Sequence, residues 1–111
     1  MECLFCKIIA GEIPSKKVYE DDTVVAFYDV APAAPVHVLV IPKDHALESA
    51  REITADNAAL IAHIYEVIAR LARELGLDGG YRVVTNAGPD AGQTVMHLHF
   101  HLLGGKLGPM A

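Results

Sequence analysis

The stretch Gln93-Thr94-Val95-Met96-His97-Leu98-His99-Phe100-His101-Leu102-Leu103 decides how the rest of the chain is read. Three histidines alternate with apolar residues. Alternation at period two marks a strand, because successive side chains point to opposite faces. His97, His99 and His101 therefore share one face, each roughly 6.5–7 Å from the next. Leu98, Phe100 and Leu102 share the other, toward a core. Imidazole is the side chain that titrates near neutrality. A row of three suits proton transfer, nucleophilic attack or metal ligation, and suits packing poorly. The bland alternative is a solvated strand face that merely carries His. Against it, half of the chain's six histidines fall within five residues.

Working outward, the spacing predicts four further strands. Residues 17–20 and 23–29 flank Asp21-Asp22 as a hairpin. Residues 36–41, rich in β-branched side chains, form a third strand ended by Pro42. Residues 81–86 form the fourth, and the histidine stretch is the fifth. A short helix over 4–10 stops at Gly11, which tolerates the left-handed cap position. The proline-fixed loop 31–35 precedes strand three, and residues 43–52 read as loop and a helical turn. Thr54 is the expected N-cap of one long helix. Its core stripe is Leu60, Ile64, Val67, Ile68, Leu71 and Leu75, and Gly76 ends it. Glu66 and Arg70 have the acid-before-base spacing of a helix pair, and His63, on the polar side, reads as a bystander. Strands joined by short turns around one helix favour an antiparallel sheet, hence an α+β class.

The bulk numbers bound the rest. A chain of 111 residues with 52% apolar content is expected to form a single domain over 1–111. No apolar run spans a bilayer, and Met1-Glu2-Cys3-Leu4-Phe5-Cys6 has no signal-peptide pattern, so the expectation is a soluble cytoplasmic protein with no membrane partner. Net charge is −5, without a Lys/Arg cluster. That argues against a polynucleotide partner, but not against a mononucleotide held by backbone amides.

Two further features carry chemistry. The loop from Asn86 through Thr94 contains two glycines, an amide and a hydroxyl. It reads either as an ordinary turn or, placed directly before the histidines, as an oxyanion cradle to which Gln93 and Thr94 add donors. The Cys3-x-x-Cys6 pair, in a cytosolic chain, reads as metal-binding or redox before structural disulfide, and no βαβ pattern supports a redox motif.

The chain resembles the histidine triad nucleotide-binding family over nearly its whole length. The matching stretches are Phe5-Cys6-Lys7-Ile8-Ile9, Glu12-Ile13-Pro14, Tyr19-Glu20-Asp21-Asp22, Ala26-Phe27-Tyr28-Asp29, Ala34-Pro35-Val36-His37, Val40-Ile41-Pro42-Lys43, Gly92-Gln93-Thr94-Val95 and the triad itself. It is most similar to the Hint branch, the purine-nucleoside phosphoramidases. The resemblance implies a five-stranded antiparallel sheet with one long helix and a short N-terminal one, continued across a homodimer. It implies cleavage of the P–N bond of adenosine or guanosine 5'-monophosphoramidates through a nucleotidyl-histidine, with AMP or GMP released and no organic cofactor. His99 would be the nucleophile, and His101 and the backbone near Gly92 would contact phosphate oxygens. Asn86 and Thr94 would flank the scissile bond, and Asp29 would accept from the ribose hydroxyls. Leu4, Phe5, Ile8, Phe27 and Val30 would hold the base, and His37 would belong to the supporting histidine network. Some members, mostly bacterial, bind structural zinc through a set that maps here to Cys3, Cys6, His45 and His97.

Two departures stand out. Thr94 replaces the Ser of eukaryotic members, keeping the hydroxyl. The chain ends Leu107-Gly108-Pro109-Met110-Ala111 in place of a Trp-Pro-Pro-Gly tail, and this bears on leaving-group preference. Three rival functions remain. One is a dinucleoside polyphosphate hydrolase of the same family. Another is a purine-nucleotide-binding partner protein with incidental hydrolysis. The third, a zinc hydrolase using the triad directly, would need a carboxylate base that the triad strand lacks.

Overall fold

The computed structural model describes residues 3–109. Met1, Glu2, Met110 and Ala111 lie outside the described residues, so the N-terminal reading and the chain's last two tail positions are not addressed by it. The elements in order are α1 (Leu4–Ile9), β1 (Lys17–Glu20), β2 (Val24–Tyr28), β3 (Val36–Pro42), α2 (Ala58–Glu74), β4 (Tyr81–Val84) and β5 (Phe100–Gly104), with 3₁₀ turns at Ala50–Glu52 and Pro89–Ala91. The five strands form one antiparallel sheet in the order β1-β2-β3-β5-β4. The expected α+β architecture is present. Among the described residues no helix is long and apolar enough to cross a membrane.

Strand alternation sends each strand's side chains to two different layers. Val24, Ala26, Val38, Val40, Leu98, Phe100 and Leu102 pack under Ile64, Val67, Ile68 and Leu71 of α2. Val25, Phe27, Leu39 and Ile41 face the other way, under Cys3, Phe5 and Ile8. α1 has six residues and α2 seventeen. The short helix covers only part of its face, and the histidines occupy what it leaves open.

Several boundaries differ from the sequence reading. The long helix begins at Ala58 with Asn57 as N-cap, not at Thr54. Thr54 and Asn57 instead bond each other locally, since the Asn57 side chain accepts the Thr54 N–H at 2.9 Å and donates to the Glu52 carbonyl at 3.0 Å. Such side-chain bonds compete with helix extension. A capping box does occur, one turn earlier, at Ser49 and Glu52. Arg70 pairs with Glu74 at 2.9 Å rather than with Glu66, and lies over the Tyr19 ring. His63 is no bystander: its Nε2 lies 2.6 Å from Asp21. Burial works against the Asp21 charge, but bonds from Tyr19, the Thr23 and Val24 N–H groups and His63 hold its carboxyl well below the usual range. This cluster fastens the β1–β2 turn onto α2.

The fifth strand is the largest departure. Regular pairing begins at Phe100, so only His101 of the triad lies in the ladder. The preceding groups are bonded elsewhere. The Leu98 N–H donates to the Leu47 carbonyl at 2.9 Å, and the His97 ring to the Pro42 carbonyl at 2.7 Å. The alternation of faces nonetheless persists through His97, because both flanking layers are buried.

Candidate functional site

His97 is fully buried and His99 is 7% exposed. A solvated strand face is therefore excluded. Burying an imidazole nitrogen without a partner is costly, and the partners that are present fix which nitrogen carries the proton. His99 Nδ1 lies 2.7 Å from the His97 carbonyl, which can only accept. Nδ1 therefore carries the proton and Nε2 holds a free lone pair. The Ala33 N–H donates to His37 Nδ1 at 3.0 Å, so neutral His37 is protonated on Nε2. That nitrogen donates to His101 Nδ1 at 2.8 Å. His101 must then carry its proton on Nε2, which is buried and has no partner among the described residues. One backbone amide thus sets the tautomers of two histidines. It leaves a lone pair on His99 and an unspent donor on His101, with the two rings 5.1 Å apart.

The diagonal contact of His37 and His101 follows from register. Leu39 pairs with His101, and His37 lies two residues back on the same face of β3. Burial dominates the titration of this group. It pushes His101 down to about 4, helped by the neighbouring His99 and His37. His99 moves the same way, again chiefly through burial, with the His97 carbonyl opposing. Both rings are neutral at neutral pH.

A group whose folded pKa is depressed stabilises the fold above its unfolded value and loses that contribution as pH falls through the folded one. For His101 the window runs from its ordinary value of 6.5 down to about 4. The melting temperature should therefore fall over that window, and His101→Asn should flatten the dependence. Identical slopes for both proteins would show that His101 titrates normally.

Beside these rings lies a cleft of about 270 Å³ lined by Leu4, Phe5, Ile8, Phe27, Asp29, Val30, Thr94, His99 and His101. All nine are among the residues that the resemblance implied. Ile13, Pro14, Ser15, Tyr28, Leu39 and Val95 also line it and were not among those implied. The Glu12-Ile13-Pro14 stretch was the signal available for the first two. Phe5 meets His99 edge-on at 4.9 Å and Phe27 at 5.8 Å, so it serves the core and the cleft wall together. His37 stands behind His101 rather than in the lining. Asn86 and Gly92 lie outside it too.

The glycine loop is spent largely on itself. The Gly88 N–H donates to Gln93 Oε1, the Gly92 N–H to the Pro89 carbonyl, and the Gln93 N–H to the Gly88 carbonyl. Gly88 and Gly92 take φ of 88° and 80°, the left-handed region that only glycine enters cheaply. Buried Gln93 is a brace, not a ligand donor: its amide nitrogen bonds the Glu48 and Val95 carbonyls. Asp29 Oδ1 accepts the Ala31 N–H at 2.8 Å, as a turn residue does, while Oδ2 sits 3.6 Å from His37.

On the other side of His97 a second cluster forms. One donor atom each of Cys3, Cys6, His45 and His97 lies within 4.8 Å of the others. Because His97 Nε2–H is bonded to Pro42, its Nδ1 lone pair faces Cys3 Sγ at 3.4 Å and Cys6 Sγ at 3.6 Å. Tetrahedral zinc with sulfur and imidazole ligands has edges of roughly 3.5 Å. These two separations match, whereas Cys6 Sγ to His45 Nδ1, at 2.9 Å, is shorter. Burial and the neighbouring Cys3 push the Cys6 thiol up to about 11. The donor set fits a structural zinc ion.

The HIT domain family model matches residues 10–108. An uncharacterised HIT-like protein of Synechococcus elongatus is 52% identical over 95% of this chain and 91% of its own. The structure of a HIT family hydrolase from Clostridium thermocellum is similar at a TM-score of 0.93 and 50% identity, covering 98% of this chain and 96% of that one. That of a histidine triad nucleotide-binding protein from Candida albicans is similar at 0.81 and 39%, covering 99% and 84%.

Proposed function

This chain belongs to the HIT domain family, and from that premise we propose that it hydrolyses the P–N bond of adenosine or guanosine 5'-monophosphoramidates, releasing AMP or GMP. The Clostridium thermocellum relative is a HIT family hydrolase, and the Candida albicans one is a histidine triad nucleotide-binding protein. The observation that carries the reading is the His99 hydrogen bond to the His97 carbonyl, which leaves Nε2 as a neutral nucleophile next to the cleft.

In this reaction the Nε2 lone pair attacks the α-phosphorus, the P–N bond breaks, and the departing nitrogen takes a proton from solvent to leave as the amine, a proton returned to solvent when water adds in the second step. Water then cleaves the phosphorus–Nε2 bond and frees the nucleoside monophosphate. The His101 Nε2–H, left unspent by the His37 relay, donates to a non-bridging phosphate oxygen whose charge grows in the transition state. The Thr94 hydroxyl stands at the leaving nitrogen, the apolar end of the cleft takes the purine, and Asp29 takes the ribose. Zinc, where bound, supplies structural cross-linking at Cys3, Cys6, His45 and His97, and no step passes through it.

Turnover of adenosine and guanosine phosphoramidates measured beside dinucleoside polyphosphates tests the reading. Preference for the polyphosphates would favour the sister activity, and nucleotide binding without turnover of either would favour a binding protein. Asp29→Ala should weaken ribonucleoside substrates about tenfold more than deoxyribose ones, the order of one lost charge-assisted hydrogen bond. Equal losses would leave Asp29 with only its turn bond to Ala31.

We also infer a symmetric homodimer. β4 is an edge strand, Tyr81 on it is 43% exposed, and an open edge calls for cover. A monomer by light scattering at micromolar concentration would refute it.

A further inference from the structure

A second recess, also of about 270 Å³, adjoins the nucleotide cleft. The two share Leu4, Thr94 and Val95, and the remaining wall of the second is Cys3, His45, Glu48 and Met96. Its rim is braced. The buried Gln93 amide donates to the Glu48 carbonyl at 2.6 Å and to the Val95 carbonyl at 3.1 Å, tying two of the lining residues together. The Glu48 N–H is held in turn by Glu52. The Glu48 backbone is thus fixed, while its side chain is exposed and its carboxylate has no partner among the described residues. Arg51, on the neighbouring turn, packs its guanidinium against Gly88 and is not part of the lining.

The nucleoside fills the first cleft, and the phosphorus must come within roughly 3–3.5 Å of His99 Nε2 for attack. Thr94, set at the leaving nitrogen in the reading above, lines both recesses, so the group on that nitrogen has the second recess beside it. We propose that this recess receives the leaving amine, and that Glu48 selects amines carrying a further positive charge and rejects anionic leaving groups. The inference rests on the P–N cleavage reading above. Leu4, Val95 and Met96 offer apolar contact to an alkyl or aryl stem, and the carboxylate lies beyond them at the rim. The same carboxylate would repel a phosphate leaving group, so discrimination against dinucleoside polyphosphates would be built into the site rather than into the triad.

Three adenosine 5'-phosphoramidates of equal length test this: N-(4-aminobutyl), cationic; N-butyl, neutral; and N-(3-carboxypropyl), anionic. A unit charge about 6 Å from the carboxylate in water-like surroundings changes binding about threefold, so cation and anion should differ about tenfold in kcat/KM at low salt. Glu48→Gln should bring that ratio close to one and leave the neutral substrate within about twofold. Glu48→Lys should invert it. A wild-type enzyme indifferent to the distal charge, or a preference that survives in Glu48→Gln, overturns the proposal. Failure to turn over any of the three, N-butyl included, would instead overturn the phosphoramidase reading on which it stands.

Discussion

His99→Ala is expected to lower turnover of an adenosine phosphoramidate by roughly 10⁴-fold or more, because no other group can form the covalent intermediate. Nucleotide affinity should change by less than about threefold, since the apolar cleft, Asp29 and His101 remain. The neighbouring histidines should behave differently, because their nitrogens are committed differently. His101→Ala removes a donor to phosphate and should cost on the order of 10²-fold, with measurable activity left. His97→Ala removes a fully buried ring bonded to Pro42 and facing two sulfurs, so folding or metal retention should suffer first. Three alanine variants with equal kinetic losses and unchanged stability would mean that the triad does not divide its work in this way.

Purified protein should carry about one zinc per chain, as a four-ligand structural site requires. Cys3→Ser combined with Cys6→Ser should abolish that zinc and lower the melting temperature on the order of 10 °C, the shift expected for about 2 kcal/mol in a domain of this size. The size of the effect follows from what the ligands connect. Cys3 caps α1 and Cys6 lies within it, His45 follows β3, and His97 precedes β5. One ion would join the N-terminal helix to both central segments of the sheet. Much of the activity should survive, because the nucleophile is set by the His97 backbone carbonyl and the His37–His101 bond, neither of which involves the two sulfurs. Metal-free wild-type protein with an unchanged melting temperature would show that the four residues only pack.

Much of this was legible because two periodicities dominate the sequence. Period two in 97–102 placed the imidazoles and the apolar residues on opposite faces, and the α2 stripe named Ile64, Val67, Ile68 and Leu71 as core. The resemblance supplied most of the cleft, from Leu4 to Val30. What stayed hidden were hydrogen bonds between distant residues, which no local pattern encodes. The Ala33 N–H that fixes His37, and through it His101, lies in a proline loop with no distinguishing signal. Gln93 looked like a ligand donor because its brace partner, Glu48, is far away in sequence. Thr54 lost the helix start to Asn57 because the Asn57 side chain bonds the Thr54 N–H and the Glu52 carbonyl and so closes a local turn ahead of the helix, without capping the helix itself. His63 and Asp21 meet across 42 positions of chain.

The mechanism requires that His99 Nε2 become bonded to phosphorus during turnover. Quenching the enzyme in acid-free conditions during steady-state hydrolysis of an adenosine phosphoramidate, followed by peptide mass spectrometry, measures this directly. An adenylyl adduct on the peptide containing the triad, localised to His99 and absent from His99→Ala, is the predicted result. An adduct on His97 or His101, or steady turnover by His99→Ala, would contradict it.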